Sequence, residues 1–146
     1  MSLDGNEVGF ILRQRVARLG TADPASGQPH VVPICFALID EAVYFVIDRK
    51  PKRSTWGLRR LVNIQSNPRV SVLWDEYDDD WAKLSFLLAF GEGKIVDSQE
   101  EWDRAVAALR ARYAGYAQME LRFDENPVVR VRILRHHFWQ MAPTER

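Results

Sequence analysis

The chain has 146 residues, 47% of them hydrophobic, which suits one domain with its own core. Lys plus Arg and Asp plus Glu both number 20, so no overall charge draws the protein toward nucleic acid or an acidic membrane. The single cysteine, Cys35, excludes an internal disulfide and with it a stapled secreted scaffold, and fits a reducing cytoplasm.

The N-terminus, Met1 to Gly9, lacks the apolar run of a secretion signal, and no later stretch approaches the roughly 18 to 20 apolar residues of a membrane span, so a soluble protein is expected. Met1-Ser2-Leu3 is left out of the expected fold. From Glu7 to Val16, apolar Val8, Ile11, Leu12 and Val16 recur at helical spacing and predict a short amphipathic helix. Leu19 to Ala22 and His30 to Ile39 flank the turn formers Asp23-Pro24-Ala25-Ser26-Gly27-Gln28-Pro29, where Gly27 can take positive φ, and predict a hairpin. Asp40-Glu41 then leads into Ala42 to Asp48, a strand in which Val43, Phe45 and Ile47 alternate with Tyr44, Val46 and Asp48.

Leu58, Leu61, Val62 and Gln65 share one helical face within Thr55 to Gln65, a helix that Asn67-Pro68 ends. Arg69 to Asp75 returns to strand alternation. Lys83 to Val96 is a longer apolar strand, and Gly91 and Gly93 predict a bulge or bend in it. Ser98-Gln99-Glu100-Glu101 reads as a capping box with Ser98 as cap and Glu101 as its reciprocal partner, followed by Trp102, Val106, Leu109 and Tyr113 on one helix face. Val128 to Trp139 closes the chain as a strand, with Val129, Val131 and Ile133 inward and Arg130 and Arg132 wet. The sum is a mainly β chain, about six strands with about three helices, in a single domain without internal repeats.

The densest local charge is Arg49-Lys50-Pro51-Lys52-Arg53-Ser54, continued by Arg59 and Arg60. It joins a strand end to a helix start, where free amides, the helix dipole and hydroxyls favour a phosphate ester. The alternative is a solvated basic turn. Nucleic acid is disfavoured, because the acidic run Asp75-Glu76-Tyr77-Asp78-Asp79-Asp80-Trp81 would repel a long polyanion. That run lacks the glycine and distal glutamate of a calcium loop and reads as a solvated connection, whose Tyr77 and Trp81 could border a substrate pocket. His30, His136 and His137 have no partners at metal-ligand spacing, and no metal site is expected. Serine hydrolase, P-loop and Rossmann signatures are absent, and Cys35 has no basic activator near it in sequence.

In order, Arg15-Val16-Ala17-Arg18-Leu19-Gly20-Thr21-Ala22-Asp23, the glycine turn and Pro29-His30-Val31-Val32-Pro33-Ile34 resemble the opening of the pyridoxamine-phosphate-oxidase-like split-barrel superfamily. Lys50-Pro51-Lys52-Arg53, Leu58-Arg59-Arg60-Leu61-Val62-Asn63-Ile64, Asn67-Pro68-Arg69-Val70 and Tyr77-Asp78-Asp79-Asp80-Trp81 look like its subgroup assigned to deazaflavin coenzyme F-420. The resemblance implies a six-stranded antiparallel split β-barrel that dimerises through a sheet face, with coenzyme grooves made by both subunits. It implies that Lys50, Lys52, Arg53 and Ser54, helped by Arg60 and Asn63, hold the coenzyme phosphate. Val32, Pro33 and Ile34 would line the ring, and Trp139 would close the groove from the other subunit. The implied activity is hydride transfer from a reduced deazaflavin to a small enone, quinone or similar acceptor, with FMN as the rival coenzyme and Tyr77 as a guess for a proton donor. A haem-handling barrel using His136 or His137, and a non-catalytic coenzyme carrier, are the alternatives.

Overall fold

The computed structural model describes residues 2–48 and 58–141. Helix α1 (Gly5–Arg13) begins on a capping box that the sequence reading passed over: the Glu7 amide donates to Asp4 Oδ1 and the Asp4 amide to Glu7 Oε1, each at 2.9 Å. The helix therefore starts earlier than expected and ends before Val16, with Phe10 and Ile11 buried beneath it. Leu3, left out of the expected fold, packs against the core, and its amide donates to Glu41 Oε2 at 3.1 Å.

Among the described residues seven strands follow rather than six. They are β1 (Ala17–Ala22), β2 (Pro29–Ile34), β3 (Ala37–Ile39), β4 (Ala42–Val46), β5 (Arg69–Glu76), β6 (Ser85–Ile95) and β7 (Val128–Gln140). All neighbours pair antiparallel in the order β2-β1-β5-β6-β7-β4-β3. The extra strand arises because His30 to Ile39 is broken at Cys35-Phe36. There the Phe36 amide leaves the ladder and donates to the Tyr113 hydroxyl at 3.0 Å, while the Phe36 ring is fully buried edge-on to Trp74. Gly27 turns the β1–β2 hairpin at φ 75, as its sequence position requires.

The sheet curls into a split barrel, because Leu19 of β1, Phe45 of β4, Val72 of β5, Leu87 of β6 and Val131 of β7 all share one apolar core. A flat sheet would keep β1 and β4, four places apart in the strand order, out of contact. The bend is at the Phe90/Gly91 step, where the register of β6 on β7 shifts and Leu134 is left without a cross-strand partner. A Cβ on Gly91 would collide with the Arg132 carbonyl oxygen, and one on Gly93 would press Ile64, so both glycines admit close approach of neighbouring elements.

Helix α2 (Arg59–Ser66) buries Leu61, Asn63 and Ile64, so the apolar face is turned from the expected Val62 and Gln65. After a short 3-10 turn (Trp81–Lys83), α3 (Gln99–Arg112) and α4 (Ala114–Ala117) form a second apolar layer on the outer side of β3 and β4. Strand β4 is consequently buried on both faces, Val43 and Phe45 toward the barrel and Tyr44 and Val46 toward α3. No helix among the described residues is long and apolar enough to cross a membrane.

Candidate functional site

Strand β2 lies at one edge of the sheet and β3 at the other, so the barrel stays open where β2 faces β4. Along that opening is a cleft of about 380 Å³. Its β2 wall is Val32, Pro33 and Ile34, and Phe45 and Val46 of β4 lie opposite. Arg60, at the start of α2, and Asp48, Cys35 and Tyr116 add the polar groups. An edge strand has main-chain groups on one side that no sheet neighbour takes, so β2 offers the cleft backbone donors and acceptors beside apolar side chains. A flat ring with a polar rim suits such walls.

Of the residues expected at the site, Val32, Pro33, Ile34 and Arg60 are therefore brought together. Lys50, Lys52, Arg53 and Ser54 lie outside the described residues, yet Asp48 and Leu58, which flank residues 49–57, both line the cleft. Asn63 is not at the cleft: it is fully buried, and its Nδ2 donates to the Thr21 hydroxyl at 3.0 Å, which fastens α2 to β1. In this geometry it packs α2 against β1 and does not line the cleft. Trp139 stacks on Phe86 at 5.6 Å, on the outer face of the sheet and away from the cleft of its own chain. Tyr77 is 69% exposed and also outside the cleft.

Cys35, Asp48 and Tyr116 were missed as a group. Cys35 follows the expected ring-lining residues and Asp48 precedes the basic segment, so both were within reach of the reading. Tyr116 gives no local signal, because only the fold-back of α4 after α3 brings it there. Its phenol sits by the Asp48 carboxylate and the Cys35 thiol. Burial first, then the hydrogen bond to Asp48 and its charge, hold that phenol far above its ordinary ionisation range.

The histidines do not gather around a metal, and among the described residues no group of three or more His, Cys, Asp or Glu side chains is placed to hold one. His136 Nε2 lies 2.9 Å from Glu7 Oε2, with both side chains nearly buried, and His137 is on the opposite side of the strand near Phe86. Neither lines the cleft. Three larger grooves, of about 640, 730 and 570 Å³, are elsewhere. The first has cations already in ion pairs, Arg132 with Glu92 and Arg130 with Glu101, and the second is a shallow trough on the outer sheet face. Size alone would favour them; the edge strand β2, Arg60 and the described residues Asp48 and Leu58 favour the smaller cleft.

The family model described as pyridoxamine 5'-phosphate oxidase matches residues 3–143. No curated protein matches the chain. Among solved structures, a conserved hypothetical protein of Mycobacterium tuberculosis superposes with TM-score 0.77 at 22% identity, over 100% of this chain and 92% of that one. The haem storage protein HutZ of Vibrio cholerae gives 0.70 at 20% identity, over 96% and 95%. A FAD-binding protein of Mesorhizobium loti gives 0.67 at 22% identity, over 93% and 94%. These likenesses establish a common fold.

Proposed function

The chain belongs to the pyridoxamine 5'-phosphate oxidase family, and from that premise we propose that it is an oxidoreductase that binds a phosphate-bearing tricyclic coenzyme in the cleft between β2 and β4. The observation that carries this reading is the meeting of Val32, Pro33, Ile34 and Arg60 in one opening, with both ends of residues 49–57 beside it. Apolar walls take the ring, the free edge of β2 supplies hydrogen bonds to its rim, and Arg60 with Lys50, Lys52, Arg53 and Ser54 neutralises the phosphate. Bound there, the coenzyme supplies a hydride to a small electron-poor acceptor such as an enone or quinone. The protein's own work is to hold both partners in register and keep water from between them.

The coenzyme in this reading is deazaflavin F-420, which the resemblance of the basic segment and the residues that follow it favours. FMN is the second reading, supported by the FAD-binding relative from Mesorhizobium loti, since a flavin presents the same ring shape. A haem role, which the name of the Vibrio cholerae relative brings to mind, fits these residues less well: His136 is engaged by Glu7 and neither neighbouring histidine reaches the cleft.

The proposed assembly is a homodimer through the outer sheet face. Val31 is 65% exposed and Leu134 46%, and half-buried Leu73, Leu88 and Phe90 add apolar side chains to the same face. Trp139, stacked on Phe86, stands on this same face, from which it would reach a partner's groove.

A side-by-side fluorescence titration with deazaflavin and FMN tests the function. Micromolar or tighter binding of one of them is expected, weakened at least tenfold in Lys52→Ala/Arg53→Ala, since each lost charge-assisted contact to phosphate is worth about 1.5 kcal/mol or more. Failure to bind either coenzyme, or binding indifferent to the double substitution, contradicts the reading.

A further inference from the structure

Hydride transfer to a C=C bond leaves the acceptor one proton short, and four side chains lining the cleft carry an exchangeable proton: Cys35, Asp48, Arg60 and Tyr116. Arg60 does not release its proton in a protein. Asp48 and Cys35 lie beside the Tyr116 phenol, and burial first, with the Asp48 charge, keeps that phenol protonated. It is also the best positioned: the residue is only 6% exposed, its carbonyl accepts from Arg110 Nε at 3.1 Å, and its ring meets Tyr113 edge-on at 5.8 Å. An anchored backbone and a gripped ring hold this side chain in place at the wall of the cleft.

We propose that Tyr116 is the proton donor of this cleft, that Asp48 is the positioning residue through which the proton is replaced from solvent, and that the acceptor is an α,β-unsaturated carbonyl compound. The inference rests on the coenzyme reading above. The acceptor's β-carbon gains the hydride, at the expense of two electrons from the reduced coenzyme, and its α-carbon gains the proton from Tyr116 Oη. The O–H bond breaks, a C–H bond forms, and the C=C bond becomes single. The phenolate left behind regains a proton from water, and Asp48, less buried than Tyr116, guides its entry. A phenol that resists ionisation still suffices, because the α-carbon of an enolate is a far stronger base than a phenolate. Its resistance has a use: the donor stays loaded across the neutral range. Tyr77, exposed on the acidic connection, has neither the burial nor the place for this role.

The test compares two acceptors on the coenzyme-loaded protein. For Tyr116→Phe, reduction of 2-cyclohexenone should fall about 100-fold, at least about tenfold more than the reduction of menadione, whose product needs no proton on carbon. A second readout needs no coenzyme. The ultraviolet titration of wild type minus that of Tyr116→Phe should show a phenol ionising above its ordinary range, and Asp48→Asn should lower that ionisation. Equal losses on both acceptors would make Tyr116 merely structural and overturn the proposal. So would an unchanged cyclohexenone rate, a loss that follows Cys35→Ala instead, or a wild type that reduces menadione and not the enone. A wild type that binds no coenzyme sinks the functional reading and this role together; binding with any of the former results sinks this role alone.

Discussion

Glu101 shows how a single residue is claimed by tertiary structure. Its amide donates to Ser98 Oγ at 3.1 Å, as a capping box requires, but its carboxylate does not return the bond. It accepts from the Tyr44 hydroxyl at 2.6 Å and from Arg130 Nη1 at 2.7 Å, and so ties α3 to β4 and β7. Burial alone would raise the Glu101 pKa, but the hydrogen bonds from Tyr44 and Arg130 and the Arg130 charge outweigh it and hold the carboxyl below its usual range. A depressed folded pKa means stability that is present above the unfolded value, near 4.3, and lost as pH falls through the folded one. Glu101→Gln should therefore cost about 2 kcal/mol at neutral pH in denaturant unfolding, and the gap to wild type should shrink in acid below about pH 4. A gap constant with pH would show that the charge on Glu101 contributes nothing. The i, i+3 spacing was legible; the competitor Tyr44, 57 residues away, was not. The same holds at Glu7, which caps α1 with one oxygen and meets His136 with the other.

At the scale of elements, alternation and turn chemistry located most strands, and the glycines of β6 located the bend. The failures share a cause. β3 separates from β2 because Phe36 finds a partner in Tyr113, a contact with no trace in the local pattern. The supposed wet face of β7 is wet only in part, since Arg130 lies under α3. At Gly91 the sequence spoke clearly, because only a residue without a side chain lets the strand meet the Arg132 carbonyl. Gly91→Ala should cost about 3 kcal/mol, read as a lower denaturation midpoint with unchanged slope, whereas Gly20→Ala, whose added Cβ would meet only ordinary contacts, should cost less. Equal effects at the two positions would mean that the bend does not depend on this close approach.

For the whole molecule, the sequence carried the family, through the order of weak motifs along nearly the whole chain. It did not carry the cleft's chemistry. Cys35, Asp48 and Tyr116 come from three separate segments, and what joins them is the way α4 folds back over the edge of β2. Nor did it separate Asn63, committed to Thr21, from Arg60 at the opening one helical turn away. In the proposed arrangement the open edge of the sheet would leave room for a ring, and the apolar outer face would join two chains so that Trp139 of each covers the other's ring.

Native mass spectrometry of the protein incubated with deazaflavin, and separately with FMN, tests that arrangement directly. The account predicts a species of two chains carrying two molecules of one coenzyme, and loss of the coenzyme when Leu134→Arg splits the pair. A single chain that holds its coenzyme unaided, or a dimer that retains neither compound, would contradict it.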